Sequence, residues 1–250
     1  MKRIFIKNYF IFFIFIFLVS CSTIQQKPPE SFTYIQIKTN DYVLASMQKI
    51  TDKTSPIRIY VEGDGNAYTS KGYPTDDPTP KSNFLRNIAF NDPNPNVVYL
   101  ARPCQFIKNK DYDKKDWTTG RFSQKIIDNV AQAIKQISCN NKTILIGYSG
   151  GALLTGIIIN QYGQELNITK WITIAGLLNH TKWTQYFNYV PLKDSLDLDK
   201  IPNIKQTHYI AKKDSVIPYN LTLDAINNRN YILIQNATHN KAITIDYNDN

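Results

Sequence analysis

Apolar residues along this chain of 250 residues change their spacing from one segment to the next, and the spacing predicts the elements. Short, almost wholly apolar runs alternate with stretches in which apolar residues recur every three or four positions. The runs are typical of strands buried on both faces of a sheet, and the stretches are typical of helices that cover it. Predicted strands occupy 32–39, 42–50, 57–62, 97–101, 143–148, 171–175, 207–211 and 231–235. Predicted helices occupy 84–91, 123–137, 151–161 and 219–228.

The order of these elements predicts an α/β fold. Three strands come first, and strands and helices alternate afterwards, so we expect antiparallel strands at the start and parallel strands in the rest of the central sheet. Helices should cover both faces of this sheet, because the later strands are apolar throughout. No internal repeat or low-complexity linker interrupts 31–250, a length that suits a single domain.

The amino terminus has the pattern of an export signal. Lys2 and Arg3 precede an apolar run over 9–19, which is well short of the ~20 residues that span a bilayer as a helix. The run ends in Ser20 and Cys21, which resembles the signal of bacterial lipoproteins, in which the cysteine is acylated. The sequence thus predicts a signal peptide over 1–20, a lipidated Cys21, a tether over 21–30 and a catalytic domain over 31–250. An ordinary signal peptide that happens to precede a cysteine is the alternative.

The lipoprotein resemblance also implies a location. Ser22 follows the cysteine where an Asp would suggest retention in the inner membrane, so the implied destination is the outer membrane of the cell envelope. The formal charge of +9 falls by three when the signal is removed. The remaining Lys and Arg residues are spread along the chain without a dense run, which argues against a nucleic-acid partner. Weak attraction to anionic lipid head groups is compatible with this charge.

Two cysteines remain in the predicted domain, and we expect both to be buried free thiols. Cys104 follows the carboxyl end of one predicted strand, whereas Cys139 precedes the amino end of another. In a parallel sheet these ends lie a strand length apart, which is too far for a disulfide bond. Neither cysteine has the spacing to Cys or His that zinc sites use, so no metal is predicted.

The pentapeptide Gly147–Tyr148–Ser149–Gly150–Gly151 lies between a predicted strand and a predicted helix. A G-x-S-x-G sequence in this position is typical of a nucleophile elbow, a strained turn that presents its serine above the edge of the sheet. The glycines suit such a turn because strand and helix pass too close for side chains. An ordinary glycine-rich turn is the alternative interpretation.

A nucleophilic serine needs a base, and the chain has three histidines. His239 follows the last predicted strand and should share the sheet edge of Ser149, so we predict that His239 is the base. His208 lies inside a predicted strand, which indicates a structural role. His180 lies in a predicted loop at the same edge and is the competing candidate.

The base in turn needs an acid that orients it. Asp214 follows the strand over 207–211, and the order Ser149, Asp214, His239 is the order found in α/β-hydrolases. A solvated loop position or a helix cap is the alternative role for Asp214. Three other carboxylates compete with it in the long preceding segment: Asp194, Asp197 and Asp199.

The negative oxygen of a tetrahedral intermediate needs backbone N–H donors. We expect one from Gly150 and the other from Asp64, with Gly65 as the next candidate, although an ordinary Gly-Asp-Gly turn would also account for this segment. Arg102 and Arg121 belong to a region that should overhang the site. Each could bind a carboxylate or phosphate of a substrate, or form a salt bridge that holds its loop.

These segments together resemble the α/β-hydrolases, over nearly all of 31–250. More narrowly, the chain is similar to a group of bacterial secreted hydrolases. The matching segments are 60–65, 99–105, 117–118, 121–123 and 147–151. The chain departs from lipases in having Glu62–Gly63 where their oxyanion loop begins with His-Gly. It also lacks the second cysteine that related chains carry shortly before Trp117.

The resemblance implies a serine hydrolase that cleaves small carboxylic esters through an acyl-enzyme, with no metal or organic cofactor. A peptidase, thioesterase or amidase would use the same machinery and stays open. A non-catalytic envelope lipoprotein that uses this scaffold for binding is the alternative from another class.

Overall fold

The computed structural model describes residues 27–108 and 111–248. The predicted signal peptide, Cys21 and most of the predicted tether lie outside the described residues. Within the described part, no helix combines the length and the apolar character that crossing a membrane requires.

The described strands form one sheet of eight strands in the order β1-β2-β4-β3-β5-β6-β7-β8. Their bounds are β1 Thr33–Lys38, β2 Val43–Ile50, β3 Ile57–Val61, β4 Asn96–Leu100, β5 Thr143–Tyr148, β6 Ile168–Ile174, β7 Lys205–Ala211 and β8 Tyr231–Ile234. The pairs β1–β2 and β2–β4 are antiparallel, and every other pair is parallel. The prediction of a mostly parallel sheet with antiparallel strands at its start is confirmed.

Five α-helices occur in the described ranges, with a short 3₁₀ helix at Lys114–Trp117. The α-helices are α1 Phe84–Phe90, α2 Gln124–Ser138, α3 Gly150–Tyr162, α4 His180–Tyr186 and α5 Tyr219–Ile226. The sequence pattern missed the 3₁₀ helix and α4, and the prediction that His180 lies in a loop was wrong. Helix α4 buries only His180 and Thr184, so it has almost no apolar periodicity. The Asn179 side chain starts it by accepting a hydrogen bond from the Lys182 amide at 2.7 Å.

Helices cover both faces of the sheet, as predicted. One apolar layer contains residues of α2, α3 and α5 together with Ile59 and Val61 of β3. The opposite layer contains residues of α1 and of the carboxyl-terminal segment together with Tyr60, the residue between them in β3. Because the later strands are parallel, their carboxyl ends meet at one edge, where ligand sites of such sheets lie.

The two cysteines of the described ranges are free thiols, but they differ in exposure. Cys104 is buried, and its burial raises the pKa of the thiol to about 12. Cys139 is exposed, so the prediction that both are buried was wrong for this residue. Cys139 follows the last residue of α2 with a φ of 46°, and this left-handed helix end turns its side chain toward solvent.

His208 is fully buried in β7 and held by two side chains. Its Nδ1 lies 2.8 Å from the Thr173 hydroxyl, and its Nε2 lies 2.9 Å from the Gln206 carbonyl oxygen. Since an amide oxygen can only accept, Nε2 carries the proton of the neutral ring. Burial lowers the pKa of His208 from 6.5 to about 4, with a smaller contribution from the charge of Arg229.

We expect His208 to destabilise the fold in acid. The unfolded chain binds a proton at His208 near pH 6.5, but the folded chain binds it only near pH 4. The free energy of unfolding should therefore fall as the pH drops from 6.5 toward 4, by about 3 kcal/mol. Urea unfolding at several pH values would measure this fall, and His208→Gln should remove it. Equal pH slopes in wild type and variant would contradict the assignment.

Candidate active site

Ser149 lies in a strained turn between β5 and α3. Its φ is 52° and its ψ is −124°, which places a non-glycine residue in a sparsely populated region of backbone conformation. A Cβ at Gly147 would lie 2.6 Å from the Ala152 Cα, and a Cβ at Gly151 would lie 2.5 Å from the Val61 oxygen. Strand and helix therefore approach so closely that only glycine fits, which is the geometry predicted for the pentapeptide.

Three side chains from separate parts of the chain form a chain of hydrogen bonds at this turn. The Ser149 Oγ lies 3.0 Å from the His239 Nε2, and the His239 Nδ1 lies 2.8 Å from the Asp214 Oδ2. Since the carboxylate can only accept, Nδ1 carries the ring proton and Nε2 accepts the serine hydroxyl proton. The structure thus brings together the three residues for which the sequence predicted the roles of nucleophile, base and acid.

Asp214 is oriented by its own turn after β7. Its Oδ1 accepts hydrogen bonds from the backbone amides of Val216 and Ile217, at 2.8 and 2.9 Å. The other carboxylate oxygen is thereby left for His239, and the side chain is only 1% exposed. The Tyr148 ring packs against the imidazole with a centroid distance of 5.2 Å, so His239 is held from two sides.

The competing histidines have other partners. His208 lies inside β7, as described above. His180 begins α4, where its ring stacks on Phe122 at 6.0 Å and lies 4.0 Å from Asp197. Neither histidine forms a hydrogen bond with Ser149 within the described part of the chain.

The competing carboxylates also serve elsewhere. Asp194 accepts a hydrogen bond from the Thr119 hydroxyl, and Asp197 accepts the amides of His180 and Thr181 at the start of α4. In the described part of the chain, the Asp214 carboxylate forms the hydrogen bond with His239. Asp199 forms no hydrogen bond with His239 there.

The loop after β3 packs directly against the elbow. A Cβ at Gly63 would lie 3.0 Å from the Ser149 Cβ, and a Cβ at Gly150 would overlap the Asp64 carboxylate. Within the described ranges, the backbone amides of Asp64 and Gly150 donate no hydrogen bond to the protein. Both are free to bind a ligand beside Ser149, and their role as oxyanion donors stays a prediction. Gly65 adopts a φ of 65°, which glycine tolerates best.

Glu62 is a buried acidic residue of this site that the sequence reasoning did not assign. Its Oε1 accepts the Gly63 amide and its Oε2 accepts the Tyr99 hydroxyl, both at 2.8 Å. Burial raises the pKa of Glu62 above its ordinary value. The signal in the sequence was that Glu62 directly follows the mostly apolar β3 and precedes Gly63.

Arg102 and Arg121 both form ion pairs with Asp64. The Arg102 Nη1 pairs with the Asp64 Oδ1, and the Arg121 Nε lies 3.1 Å from the Asp64 Oδ2. The Arg102 Nη2 also donates to the Arg121 carbonyl oxygen. The two arginine side chains are 5% and 3% exposed, so the salt-bridge interpretation is realised for both. Arg121 also lines the pocket beside Ser149, and contact with a substrate stays a prediction.

Two neighbouring cavities at this edge of the sheet share part of their lining. The first has a volume of about 430 Å³ and is lined by residues that include Ser149 and His239. The second has a volume of about 560 Å³ and is lined by residues that include Tyr189 and Val190. Three residues line both cavities: Tyr68, Arg121 and Trp183. Tyr68, Tyr189 and Val190 were not predicted, because their segments carry no motif.

Comparison with solved structures identifies the fold. XC6422 from Xanthomonas campestris, an α/β serine hydrolase without lid, matches with a TM-score of 0.51 and 11% identity, over 84% of this chain and 87% of that chain. Mouse alpha/beta hydrolase domain-containing protein 10 matches with a TM-score of 0.58 and 15% identity, over 83% and 90%. Est1E from Butyrivibrio proteoclasticus matches with a TM-score of 0.54 and 11% identity, over 82% and 90%. The chain therefore has the α/β-hydrolase fold.

Comparison by sequence gives a shorter match. The secreted triacylglycerol lipase LIP2 of Malassezia furfur is 35% identical over 80 residues, which is 29% of this chain. The match spans 17% of the length of that lipase. No protein-family model matches the chain.

Proposed function

We propose that this protein is a serine hydrolase that cleaves carboxylic esters. The observation that carries the proposal is the chain of hydrogen bonds from Ser149 through His239 to Asp214. Ser149 and His239 also line a cavity of about 430 Å³. A binding protein would have no need of a serine in a strained turn, an imidazole in the tautomer that accepts its proton, and a buried carboxylate behind that imidazole.

The proposed reaction proceeds by acyl transfer to water. The Ser149 Oγ attacks the ester carbonyl while the His239 Nε2 takes its proton, and Asp214 stabilises the imidazolium. The amides of Gly150 and Asp64 donate to the negative oxygen of the tetrahedral intermediate. The intermediate collapses as His239 protonates the leaving alcohol. Water then attacks the acyl-enzyme, gives a proton to His239, and releases the acid as Ser149 regains its proton.

Esters are favoured over amides and thioesters by two findings. The first finding is that the sequence match is to a triacylglycerol lipase. The first cavity is lined by Phe84, Leu177 and Ile217 as well as by polar and charged residues, and this apolar part of the lining suits the apolar part of an ester.

We expect wild type to hydrolyse p-nitrophenyl esters and to react with a fluorophosphonate probe at Ser149. Ser149→Ala should abolish labelling, and Asp214→Asn should lower kcat by about 10⁴-fold because an amide that donates to Nδ1 leaves His239 in the tautomer that cannot take the serine proton. His180→Gln is the matched control for His239→Gln, and only the latter should lose activity. Faster cleavage of thioesters or aminoacyl anilides would replace the ester assignment. If folded wild-type protein did not react with the probe, the result would favour the alternative that the protein is a non-catalytic binding protein.

The second cavity suggests that the ester carries an extended apolar arm. It borders the first cavity at Tyr68 and Trp183, and its wall includes Tyr189, Val190 and Leu192. Val190 is 75% exposed and Tyr189 is 54% exposed, so apolar surface there stays in contact with water. An acyl chain that covered this surface would gain about 0.8 kcal/mol for each buried methylene group.

We therefore expect kcat/KM to rise with acyl length. Val190→Asp should lower kcat/KM for a long-chain ester by about tenfold and leave that for the acetyl ester unchanged, because only the long chain reaches this wall. Leu196→Asp is the control, since Leu196 is also exposed but lines neither cavity. If Val190→Asp lowered kcat/KM equally for short and long esters, or if Leu196→Asp had the same effect, the acyl chain would not bind along this wall.

We further propose that Cys21 carries lipid and anchors the enzyme in the cell envelope, a proposal that rests on the sequence alone. Cys21→Ser should move the protein from the membrane fraction of a Gram-negative host to the soluble fraction. Cys139→Ser is the control, because that thiol is exposed at a helix end. Mass spectrometry of the amino-terminal peptide should find acyl chains on Cys21, and an unmodified thiol there would refute the anchor.

A further inference from the structure

The turn after β4 brings a glutamine beneath the loop that contacts Ser149. The Gln105 amide donates to the Arg102 carbonyl oxygen at 3.2 Å, which closes a four-residue turn. Pro103 is its second residue, and Cys104 is its third with a φ of 72°. Proline followed by a left-handed residue is the pattern of a type II turn, although glycine usually holds the third position. The turn leaves the Gln105 side chain buried and only 2% of the residue exposed.

Both ends of the Gln105 side chain are bonded to backbone. Its Nε2 donates to the Gly63 carbonyl oxygen at 2.9 Å, and its Oε1 accepts the Arg102 amide at 3.0 Å. Because one partner is an acceptor and the other is a donor, the orientation of the side-chain amide is defined. Gln105 does not line the cavity that holds Ser149, so its effect on that cavity is indirect.

The bond to the Gly63 oxygen also fixes the Asp64 N–H. These two groups belong to one planar trans peptide unit, in which the carbonyl and the N–H point in opposite directions. A donor that fixes the direction of the Gly63 carbonyl therefore also fixes the direction of the Asp64 N–H, which points to the opposite side of the loop. The Asp64 N–H has no acceptor within the described part of the protein, and the loop contacts Ser149.

The backbone of this loop needs hydrogen bonds from other side chains to fix its conformation. Asp64 has glycine on both sides, Gly63 and Gly65, and glycine allows a peptide unit to rotate at little cost. The Glu62 carboxylate holds the Gly63 amide, and Gln105 holds the next peptide unit. The Asp64 side chain is held separately by Arg102 and Arg121.

We propose that Gln105 is a positioning residue, which aims the Asp64 amide at the carbonyl oxygen of the substrate. The inference rests on the proposed ester hydrolysis and adds a residue that does not touch the substrate. Its effect should appear in the transition state, because the negative oxygen needs an aimed donor more than the neutral ester does.

Two substitutions test the role. Gln105→Met removes both bonds of the side chain, whereas Gln105→Glu keeps an acceptor for the Arg102 amide and puts a carboxylate oxygen in place of the donor to Gly63. Complete loss of an oxyanion donor costs about 10²–10³ in kcat, so we expect each variant to lose about 10- to 100-fold. KM should stay within about twofold of wild type. The inhibition constant of an arylboronic acid, which forms a tetrahedral adduct with the serine, should rise by the same factor as kcat falls.

Gln206→Met is the matched control. Gln206 is also buried and donates to backbone oxygens, those of Pro202 and Ile204 at 2.8 and 3.0 Å, but it lies away from Ser149. This variant should lose thermal stability and keep kcat and the boronic acid constant. A folded Gln105 variant with both constants within about twofold of wild type would overturn the proposal. Equal losses in Gln206→Met, or unfolding of both Gln105 variants, would make Gln105 a structural residue. Wild type that cleaves no ester and binds no boronic acid would overturn the proposed function itself.

Discussion

The close approach of β5, α3 and the loop after β3 is the constraint on which the site depends. At Gly147 and Gly151 the backbones are so near that a methyl group would overlap the neighbouring segment. This contact forces the chain through a tight turn, and Ser149 adopts its unusual backbone angles there. The same closeness packs Gly63 against Ser149 and Asp64 against Gly150. The strain at Ser149 is thus tied to the packing that surrounds it.

The parallel half of the sheet supplies the other parts of the site. Ser149 follows β5, Asp214 follows β7, and His239 follows β8, all at the carboxyl edge. Asp64 follows β3 at the same edge. Because each loop starts from a hydrogen-bonded strand, the sheet register fixes the distances among groups that are far apart in the sequence. The antiparallel β1 and β2 bring no residue to this cluster, and they cover the edge of the sheet beside β4.

The sequence was sufficient to predict the fold and the sheet edge at which Ser149, Asp214 and His239 lie, and the reason is physical. Strands buried on both faces are mostly apolar, so their runs stand out, and the carboxyl ends of parallel strands lie at one edge. This rule alone selected His239 over His208, which lies inside a strand. It could not select between the two roles of Arg121, because the charge that an arginine meets depends on the path of loops with no periodic pattern.

Other features stayed hidden because they depend on single contacts. Helix α4 has almost no apolar face, and its start depends on the side chain of Asn179 and on Asp197 from a later loop. The exposure of Cys139 follows from one left-handed residue at a helix end. The contact of Gln105 with Gly63 depends on a turn in which Cys104 holds the position that glycine usually occupies. A glycine there would have indicated the turn in the sequence.

The charge of Asp64 explains why two arginines are buried beside a serine. Its carboxylate packs against Gly150, next to the place where the proposed reaction develops a negative oxygen. Two like charges about 4 Å apart interact unfavourably by about 4 kcal/mol at an effective dielectric constant of about 20. An uncompensated Asp64 would therefore oppose the reaction that its backbone amide is proposed to assist. Arg102 and Arg121 place two positive charges against the Asp64 carboxylate, and these charges offset its negative charge near the place where the intermediate would be negative.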